Sequence, residues 1–310
     1  MRILVLTNMY PHDEDPAFGT FVHEQVRALR GIGIDIDVLF VNGRASRWNY
    51  VAGYVRFWRK LAYVKYDLIH CHYVFSGLIA RAQCRLPVVQ SFHGAGEMLG
   101  YQGRLCRIVA PLVDAVIVTS PEHKADLGFA AAHIIPCGVD YGLFVPQPRE
   151  TARAALGWDP SRKVVMWLGD PRPEKRLDLV EAAYKLLSQD RDDIDLQIVT
   201  GVAHNQVPIY MNAADLLVLP SDTEGSPVVI KEAMACNLPI VSTAVGDVPA
   251  VIDGVAGCYL TEQTPEDLAA KMALALSFGK RTRGREAIEH LQTREEASKI
   301  VALYEQVLAR

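Results

Sequence analysis

Residues 222–235 read DTEGSPVVIKEAMA and follow an apolar run at residues 216–220. The run predicts a buried parallel strand. The residues after it predict a helix with Ser226 at the N-cap and Pro227 at the first helical position. Gly225 lets a ligand approach the backbone, and the positive end of the helix dipole favours an anion such as phosphate. The stretch therefore predicts a strand–turn–helix junction that can bind an anionic group.

Two carboxylates flank this junction. Glu224 lies in the predicted turn and Glu232 in the helix. Because helical side chains lean toward the N-terminus of the helix, Glu232 can point toward the same cleft as Glu224. Acids near a helix start are also ordinary surface residues, since the helix dipole favours them. In its context, the stretch resembles the Glu-x7-Glu signature of the retaining family 4 glycosyltransferases. The resemblance implies an α/β protein of the GT-B fold, with two Rossmann-like domains that face a central cleft and a C-terminal helix that crosses back.

The composition narrows the functional classes. The chain has 310 residues, half of them hydrophobic, and a net charge of −4, so no basic excess points to nucleic-acid binding. The cysteines form no C-x-x-C pair, which favours reduced thiols, and no apolar run is long enough to span a bilayer. Residues 2–7 read as a first strand rather than a signal peptide. These features predict a cytoplasmic protein that can bind peripherally to the inner face of the plasma membrane.

Alternating strand and helix patterns predict the domain organisation. They indicate a first domain at residues 1–146, a second domain at residues 147–285 and a C-terminal helix at residues 286–310. The resemblance implies that the first domain binds the acceptor and the second binds the nucleotide sugar. A Pro-rich segment at 146–148 marks the linker. The first strand is followed by no G-x-G-x-x-G motif, which disfavours a nicotinamide or flavin enzyme.

Three shorter motifs in the first domain agree with the resemblance. Gly19, in the loop of residues 15–22, matches a family glycine that lets donor phosphates approach, although it can equally ease entry into a helix. His93 ends a predicted strand and resembles the family histidine that contacts the transferred sugar, whereas a lone histidine is often structural. Gly138 lies in a segment similar to the family's Ile-Pro-Asn-Gly-Val-Asp, with Cys137 in place of asparagine.

A histidine pair precedes His93 in the chain. His70 and His72 form a His-x-His at a strand end, where a metal is conceivable, but no third ligand follows at a recognisable spacing. The same stretch resembles the family strand whose histidines shape the acceptor cleft. We therefore expect no metal.

The predicted diphosphate site departs from the family pattern. Lys175 falls where the family has its lysine, but Asp170 stands in place of the usual arginine. Because an aspartate repels a diphosphate, either Arg172 or Arg176 must supply the missing charge, or donor binding is weakened. The second domain is also short, since one helix–strand crossover is missing after the strand at residues 194–200. The loop after that strand often contacts the nucleotide base in the family.

A basic, aromatic segment stands out at residues 44–65. Aromatic rings alternate there with cations and no acid, a composition that suits an anionic membrane surface. The alternative is a solvated helix whose aromatics pack on the sheet, and RNA binding is a weaker one. The membrane-surface candidates are Arg56, Trp58, Arg59 and Lys60.

The resemblance implies transfer of a sugar from a nucleoside diphosphate sugar to a glycan or lipid-linked acceptor, with retention and without a metal or a cofactor. Its implied catalytic residues are His93, beside the sugar, and Glu224, on the sugar hydroxyls. Glu232 would bind the ribose, and the base, UDP or GDP type, is open. The remaining implied donor-binding residues are Gly19, Gly138, Arg172, Lys175, Arg176, Gly225, Ser226, Pro227 and Val228.

Two alternatives remain open. The departure at Asp170 and the missing crossover also fit a non-catalytic GT-B scaffold protein in a glycan-assembly complex. A sugar-nucleotide epimerase or a glycogen-type phosphorylase would share the fold, but the phosphorylase needs a much longer chain.

Overall fold

A computed structural model of the chain describes residues 1–16, 18–189 and 191–310. Ala17, in the predicted glycine loop, lies outside the described residues. The chain divides into two compact units. The first contains Met1–Gly138 and Thr293–Arg310, and the second contains Val139–Gln292.

The first unit is built on a parallel sheet whose described strands follow the order β2-β1-β3-β4-β5-β6. These strands are β1 (Arg2–Thr7), β2 (Asp35–Phe40), β3 (Leu68–His72), β4 (Val88–Ser91), β5 (Ala115–Val118) and β6 (His133–Ile134). The helices between them are α1 (Thr20–Gly31), α2 (Trp48–Tyr63), α3 (Val74–Ala80), α4 (Gly100–Val109) and α5 (Pro121–Leu127).

Alternating residues of β1 face opposite sides of this sheet, as the period of a strand requires. Ile3 and Val5 join the core beneath α1, and Leu4 and Leu6 join the core that contains Phe57 of α2. Because both faces are covered, residues 3–6 of β1 are all apolar, as expected of a central parallel strand, and the buried polar Thr7 ends it.

The second unit contains a parallel sheet of order β11-β10-β9-β7-β8. Its strands are β7 (Lys163–Leu168), β8 (Ile194–Val199), β9 (Leu216–Leu219), β10 (Ile240–Ser242) and β11 (Cys258–Leu260). Its helices are α6 (Arg149–Leu156), α7 (Leu177–Leu187), α8 (Val207–Ala213), α9 (Val228–Ala235), α10 (Val248–Ile252), α11 (Pro265–Phe278) and α12 (Gly284–Ala287).

The short connection after β8 agrees with the prediction that one helix–strand crossover is missing there. A single 3₁₀ turn (His204–Gln206) and α8 lead from β8 directly to β9, which pairs with β7. Within the part of the chain that the structure describes, β8 is consequently an edge strand. The strand order reverses between β7 and β9, and in open α/β sheets ligands bind beyond the carboxyl ends of the strands at such a point.

The C-terminal segment belongs to both units. Ile288 and Leu291 pack into the core of the second unit. The last helix, α13 (Thr293–Leu308), packs on α1 in the first. A buried hydrogen bond of 2.7 Å from Gln25 Nε2 to Glu296 Oε1 joins these two helices. The helix expected from residue 286 thus begins at residue 293, and residues 139–146, expected in the first domain, belong to the second unit.

Candidate functional site

An ion pair lies at the point where the strand order of the second sheet reverses. Lys175 ends a 3₁₀ turn after β7, and Glu224 lies in the turn after β9. Lys175 Nζ donates to Glu224 Oε1 over 2.5 Å, and both side chains are more than four-fifths buried. The Asp222 amide donates to the Glu174 carbonyl over 2.9 Å and joins the two turns. The structure therefore brings the predicted lysine and the predicted first glutamate together.

The neighbouring arginines are also paired with acids. Arg176 binds Asp178 and Asp222 at 3.1 Å each, and these hydrogen bonds raise the pKa of the guanidinium. Arg172 lies 3.2 Å from Glu174 and is mostly exposed. Acids outnumber bases in this region, because three cations accompany the exposed Asp170 and the acids Glu174, Asp178, Asp222 and Glu224. A diphosphate would thus enter a region whose cations already have carboxylate partners.

Helix α9 begins later than the sequence predicts. Its first helical residue is Val228 and its cap residue is Pro227, so Ser226 is not the N-cap. The Ser226 hydroxyl instead donates to Asp247 Oδ2 over 2.7 Å. By the geometry of any helix, the first amides of α9 lack intrahelical acceptors, and they lie beside the buried Gly225. This terminus can therefore still bind an anionic group.

A buried lysine connects α9 to the loop after β10. Lys231 is fully buried, and its Nζ lies 2.7 Å from Asp247 Oδ2 and also donates to the Ser226 hydroxyl. The other oxygen of Asp247 is buried and has no hydrogen-bond partner among the described residues. Sequence analysis missed this network, although a lysine inside the apolar face of a helix was a signal. The network fixes Ser226, which comes just before the cap residue of α9, and so holds the start of that helix.

Gly246 allows the loop after β10 to approach the turn that holds Glu224. Its φ of +56° is left-handed, and an added Cβ would lie 2.4 Å from the Gly225 carbonyl oxygen. We expect Gly246→Ala to lower the free energy of unfolding by about 2 kcal/mol more than Gly254→Ala. Gly254 has a similar φ of +66° but nothing within 4 Å of its Cβ position, so it isolates the cost of the clash. If urea unfolding shows the same loss of unfolding free energy in both variants, the turn can move away from the added methyl group.

Glu232 is held by a residue from the shortened connection. His204 Nε2 and Glu232 Oε1 share a hydrogen bond of 2.7 Å, and Glu232 is 5% exposed. The His204 ring also contacts Phe144, with ring centroids 5.4 Å apart. No motif marks His204, because its contact with Glu232 depends on how short the segment after β8 is.

In the first unit, two histidines lie at the carboxyl ends of neighbouring strands. His72 ends β3, His93 follows β4, and the two rings stack with His72 Nδ1 and His93 Nε2 2.7 Å apart. The outer ring nitrogens, His72 Nε2 and His93 Nδ1, are buried without a hydrogen-bond partner among the described residues. Nearby, Gly19 has a φ of +70°, and a Cβ there would lie 2.5 Å from the Met9 carbonyl carbon. Gly19 therefore has a steric role in its loop.

Gly138 contacts the C-terminal helix. Its amide donates to Glu296 Oε2 over 2.8 Å, and an added Cβ would lie 2.7 Å from the backbone of Thr293. These contacts give the glycine a packing role in the first unit. Glu97, which sequence analysis did not single out, is also buried there and accepts the Val74 amide over 2.7 Å.

Buried neutral histidines make the first unit sensitive to acid. Burial lowers the pKa of His70 and His93 to about 3 each, of His123 to about 4 and of His72 well below its usual value, while burial raises the pKa of Glu97 to about 8. The histidines bind protons only after unfolding, so their stabilisation is complete above about pH 6.5 and is lost below it. Glu97 has the opposite effect. We expect the free energy of unfolding to fall by about 3 kcal/mol between pH 6.5 and 5.5.

Urea unfolding of the full chain at the two pH values tests this prediction, with the pH slope rather than the absolute stability as the readout. His123→Gln should reduce the fall over this pH unit by about 1 kcal/mol, and replacement of the exposed His290 should not change it. An unchanged slope in His123→Gln would show that His123 binds its proton in the folded protein.

Comparison with known proteins identifies the family. Residues 3–143 match the sequence model of Glycosyltransferase Family 4, and residues 195–277 match that of Glycosyl transferases group 1. Together the matches cover more than two thirds of the chain. The chain belongs to the family 4 glycosyltransferases.

Curated relatives of this family 4 chain include two D-inositol 3-phosphate glycosyltransferases. The protein from Mycolicibacterium gilvum is 27% identical over 277 residues, covering 74% of this chain and 62% of the relative. The protein from Mycobacterium sp. (strain KMS) is 31% identical over 282 residues, covering 74% and 63%. The chain thus spans about six tenths of the length of the curated relatives it matches.

Solved structures share the fold of this family 4 chain. Sucrose-phosphate synthase from Thermosynechococcus elongatus matches with a TM-score of 0.82 and 22% identity, with both chains covered completely. Anabaena HepE in complex with UDP matches with a TM-score of 0.75 and 17% identity, covering 99% of this chain and 100% of HepE. These matches confirm the predicted GT-B fold.

Helix α2 of this family 4 chain presents most of its large side chains to solvent. Only Gly53 and Phe57 are buried, while Trp58 and Arg59 are exposed. The alternative that the aromatics pack on the sheet holds for Phe57 but not for the exposed Trp48 and Trp58. Arg56 is exposed and donates to the Phe40 carbonyl, whereas Lys60 is half-buried and lies 3.1 Å from Asp37. No helix among the described residues is long and apolar enough to cross a membrane.

Proposed function

We propose that the chain transfers a sugar from a nucleoside diphosphate sugar to an acceptor, with retention at the anomeric carbon and without a metal ion. The observation that carries the proposal is the Lys175–Glu224 pair at the strand-order reversal, beside the N-terminus of α9. Lysine and helix amides are the groups that stabilise charge on a departing diphosphate. Membership of the family 4 glycosyltransferases supports the same reaction.

Each of the two glutamates keeps one oxygen for a ligand in this proposal. Lys175 holds Oε1 of Glu224, and His204 holds Oε1 of Glu232. We assign Oε2 of Glu224 to the sugar hydroxyls and Oε2 of Glu232 to the ribose. Lys175 would then bind the diphosphate as it arrives, while its contact with Glu224 keeps that carboxylate in position.

In the first unit, His93 is the residue assigned to the transferred sugar. Its Nδ1 is buried and without a partner among the described residues, and a buried polar atom of this kind costs free energy unless a ligand or water binds it. His72, through its hydrogen bond of 2.7 Å, would fix the ring orientation. No side chain need act as nucleophile, because the departing phosphate can take the acceptor proton on the same face.

A nucleotide panel tests the proposal and names the donor. UDP is the first choice because the HepE structures contain UDP and UDP-glucose, and GDP, ADP and dTDP complete the panel. A nucleotide at 100 times its dissociation constant stabilises the folded protein by roughly 2.7 kcal/mol, which gives a measurable rise in Tm. We expect a rise with one base, equal with magnesium and with EDTA, that is reduced in Lys175→Gln and in His204→Ala.

No rise with any nucleotide would contradict the proposal. It would favour the alternative of a non-catalytic scaffold, because Arg172, Lys175 and Arg176 already have carboxylate partners. Donor hydrolysis measured in the same samples separates the two functions, since a scaffold without a donor site produces none.

We also propose that the acceptor is lipid-linked or a growing glycan and that α2 binds an anionic membrane. Trp48 and Val51 are more than half exposed, and α4 adds the exposed Tyr101 and Ile108 on the same side of the first sheet. Exposed rings and cations of this kind bind headgroups through apolar burial and attraction to lipid phosphates. The curated relatives are named for D-inositol 3-phosphate, so we choose this molecule as the control acceptor in transfer assays.

Vesicle binding measures this contact. We expect the full chain to sediment with vesicles rich in phosphatidylserine, and the double variant Arg56→Glu/Arg59→Glu to lose at least about 90% of that binding at low salt, because about 1 kcal/mol is lost per cation. Arg294→Glu/Lys299→Glu makes the same charge change on exposed positions of α13, on the other face of the sheet. Equal losses in both variants would assign the binding to net charge instead of α2.

A further inference from the structure

A cavity lies in the second unit, away from Lys175 and Glu224. Its volume is about 320 Å³, and it is lined by the segment before α6, the amino ends of β7, β9 and β10, and the end of α11. Lys175 and Glu224 follow the carboxyl ends of β7 and β9, whereas the cavity lies at the amino ends of the same strands. Its charged lining residues are Arg149, Glu150, Lys163, Asp215, Lys280 and Arg281.

The main carboxylate in this cavity is already neutralised. Asp215 Oδ1 accepts from Arg149 over 2.6 Å, and Oδ2 accepts from the buried Arg153 over 2.6 Å and from the Val164 amide over 2.7 Å. The Lys163 ammonium lies 4.0 Å from the same carboxylate. Asp215 thus forms hydrogen bonds with two arginines, and Lys163 lies beyond hydrogen-bond distance from it.

The other two cations have no carboxylate partner among the described residues. Arg281 donates to the carbonyls of Met211 and Asn212, which are neutral. The Lys280 ammonium lies 5.1 Å from the centre of the Phe278 ring. Burial lowers the pKa of Arg281, Asp215 opposes the change, and Arg149 lowers the pKa further. The positive charge of this region is therefore only partly compensated.

The charge and size of the cavity define its ligand. Four lining cations stand against the lining acids Asp215 and Glu150, an excess of about two positive charges in a chain whose net charge is −4. A phosphate monoester carries about −1.5 to −2 near pH 7 and accepts hydrogen bonds from lysine and arginine. A volume of about 320 Å³ is at the lower end of the range for small-molecule sites. We propose that this cavity binds the phosphate group of a small phosphorylated molecule, at a site separate from that for the donor.

Titration of the full chain with inorganic phosphate, at constant ionic strength, tests the site. The variants are Lys163→Gln/Lys280→Gln, which removes two cavity cations that are not needed to hold Asp215, and Lys175→Gln, which alters the proposed donor site. We expect the first variant to bind phosphate in this cavity at least tenfold more weakly. The second should keep the wild-type affinity of the cavity, because Lys175 lies at the other end of the strands. Hydrogen exchange should show protection by phosphate at residues 147–150 and 276–281.

A matched control and a second probe complete the experiment. Lys185→Gln/Lys299→Gln removes the same charge at exposed positions outside the cavity and should leave the affinity unchanged. Glycerol phosphate and vesicles of phosphatidic acid present the same monoester, and binding of only one of them identifies a soluble or a lipid source. The proposal is overturned if wild type and Lys163→Gln/Lys280→Gln bind phosphate equally, or if Lys175→Gln alone abolishes binding. It does not depend on the proposed transferase activity.

Discussion

Glu224→Gln is expected to reduce sugar transfer by at least about 10²-fold with the folded structure retained. The substitution keeps the size of the side chain but removes the charge that holds Lys175 at 2.5 Å. It therefore affects both the group assigned to the sugar hydroxyls and the position of the cation assigned to the diphosphate. Loss of one such preorganised interaction costs about 10²–10³ in kcat. Initial rates with the donor identified by the nucleotide panel give the measurement.

Glu181→Gln provides the matched control. Glu181 is an exposed glutamate on α7, so its replacement changes the net charge equally and should leave the rate unchanged. Circular dichroism melting of both variants checks that the fold is retained. If well-folded Glu224→Gln transfers sugar at the rate of the wild type, Glu224 has no part in the reaction.

Lys231→Met is expected to destabilise the second unit by about 3–5 kcal/mol, the cost of removing one partner from a buried ion pair. Methionine fills a similar volume, but Asp247 then remains buried without a cation, and Ser226 loses a hydrogen-bond partner. Because the same network fixes the start of α9, affinity for nucleotide should fall as well. Urea unfolding gives the free energy, and Tm shifts with nucleotide give the affinity.

The double variant Lys231→Met/Asp247→Asn separates charge compensation from packing. With both charges removed, it should recover at least about 2 kcal/mol of the loss caused by Lys231→Met alone. Additive losses in the two single variants would show that the ion pair carries no coupling energy. In that case, the effect of Lys231 would come from volume and shape.

Local sequence patterns predicted the elements around the site well. The apolar run at residues 216–220 became β9, and Gly225 with Pro227 marked the turn before α9. Apolar spacing also identified the C-terminal helix. In each case the signal lies within one short segment, where propensity and periodicity act directly. The cap of α9 was predicted one residue early, because the Ser226 hydroxyl binds Asp247 and not the helix start.

Contacts between distant segments could not be predicted in the same way. Lys231 contacts Asp247, and His204 contacts Glu232, only because the segments that follow different strands come together at the carboxyl ends of those strands. The pairing of Arg176 with Asp222 likewise crosses from one turn to another. Motif spacing identified which residue types belong to the site, and the fold determined their partners.

The division of the first unit between the two parts of the chain has a consequence for how the protein is made. Residues 139–292 leave the ribosome before α13 does, and the second unit, whose elements are consecutive, can close its core first. The first sheet emerges early but without Ile300, Leu303 and Tyr304, which complete its core. The N-terminal part of the chain must therefore keep an apolar surface uncovered until α13 is translated, and it is the part that needs protection from aggregation during synthesis.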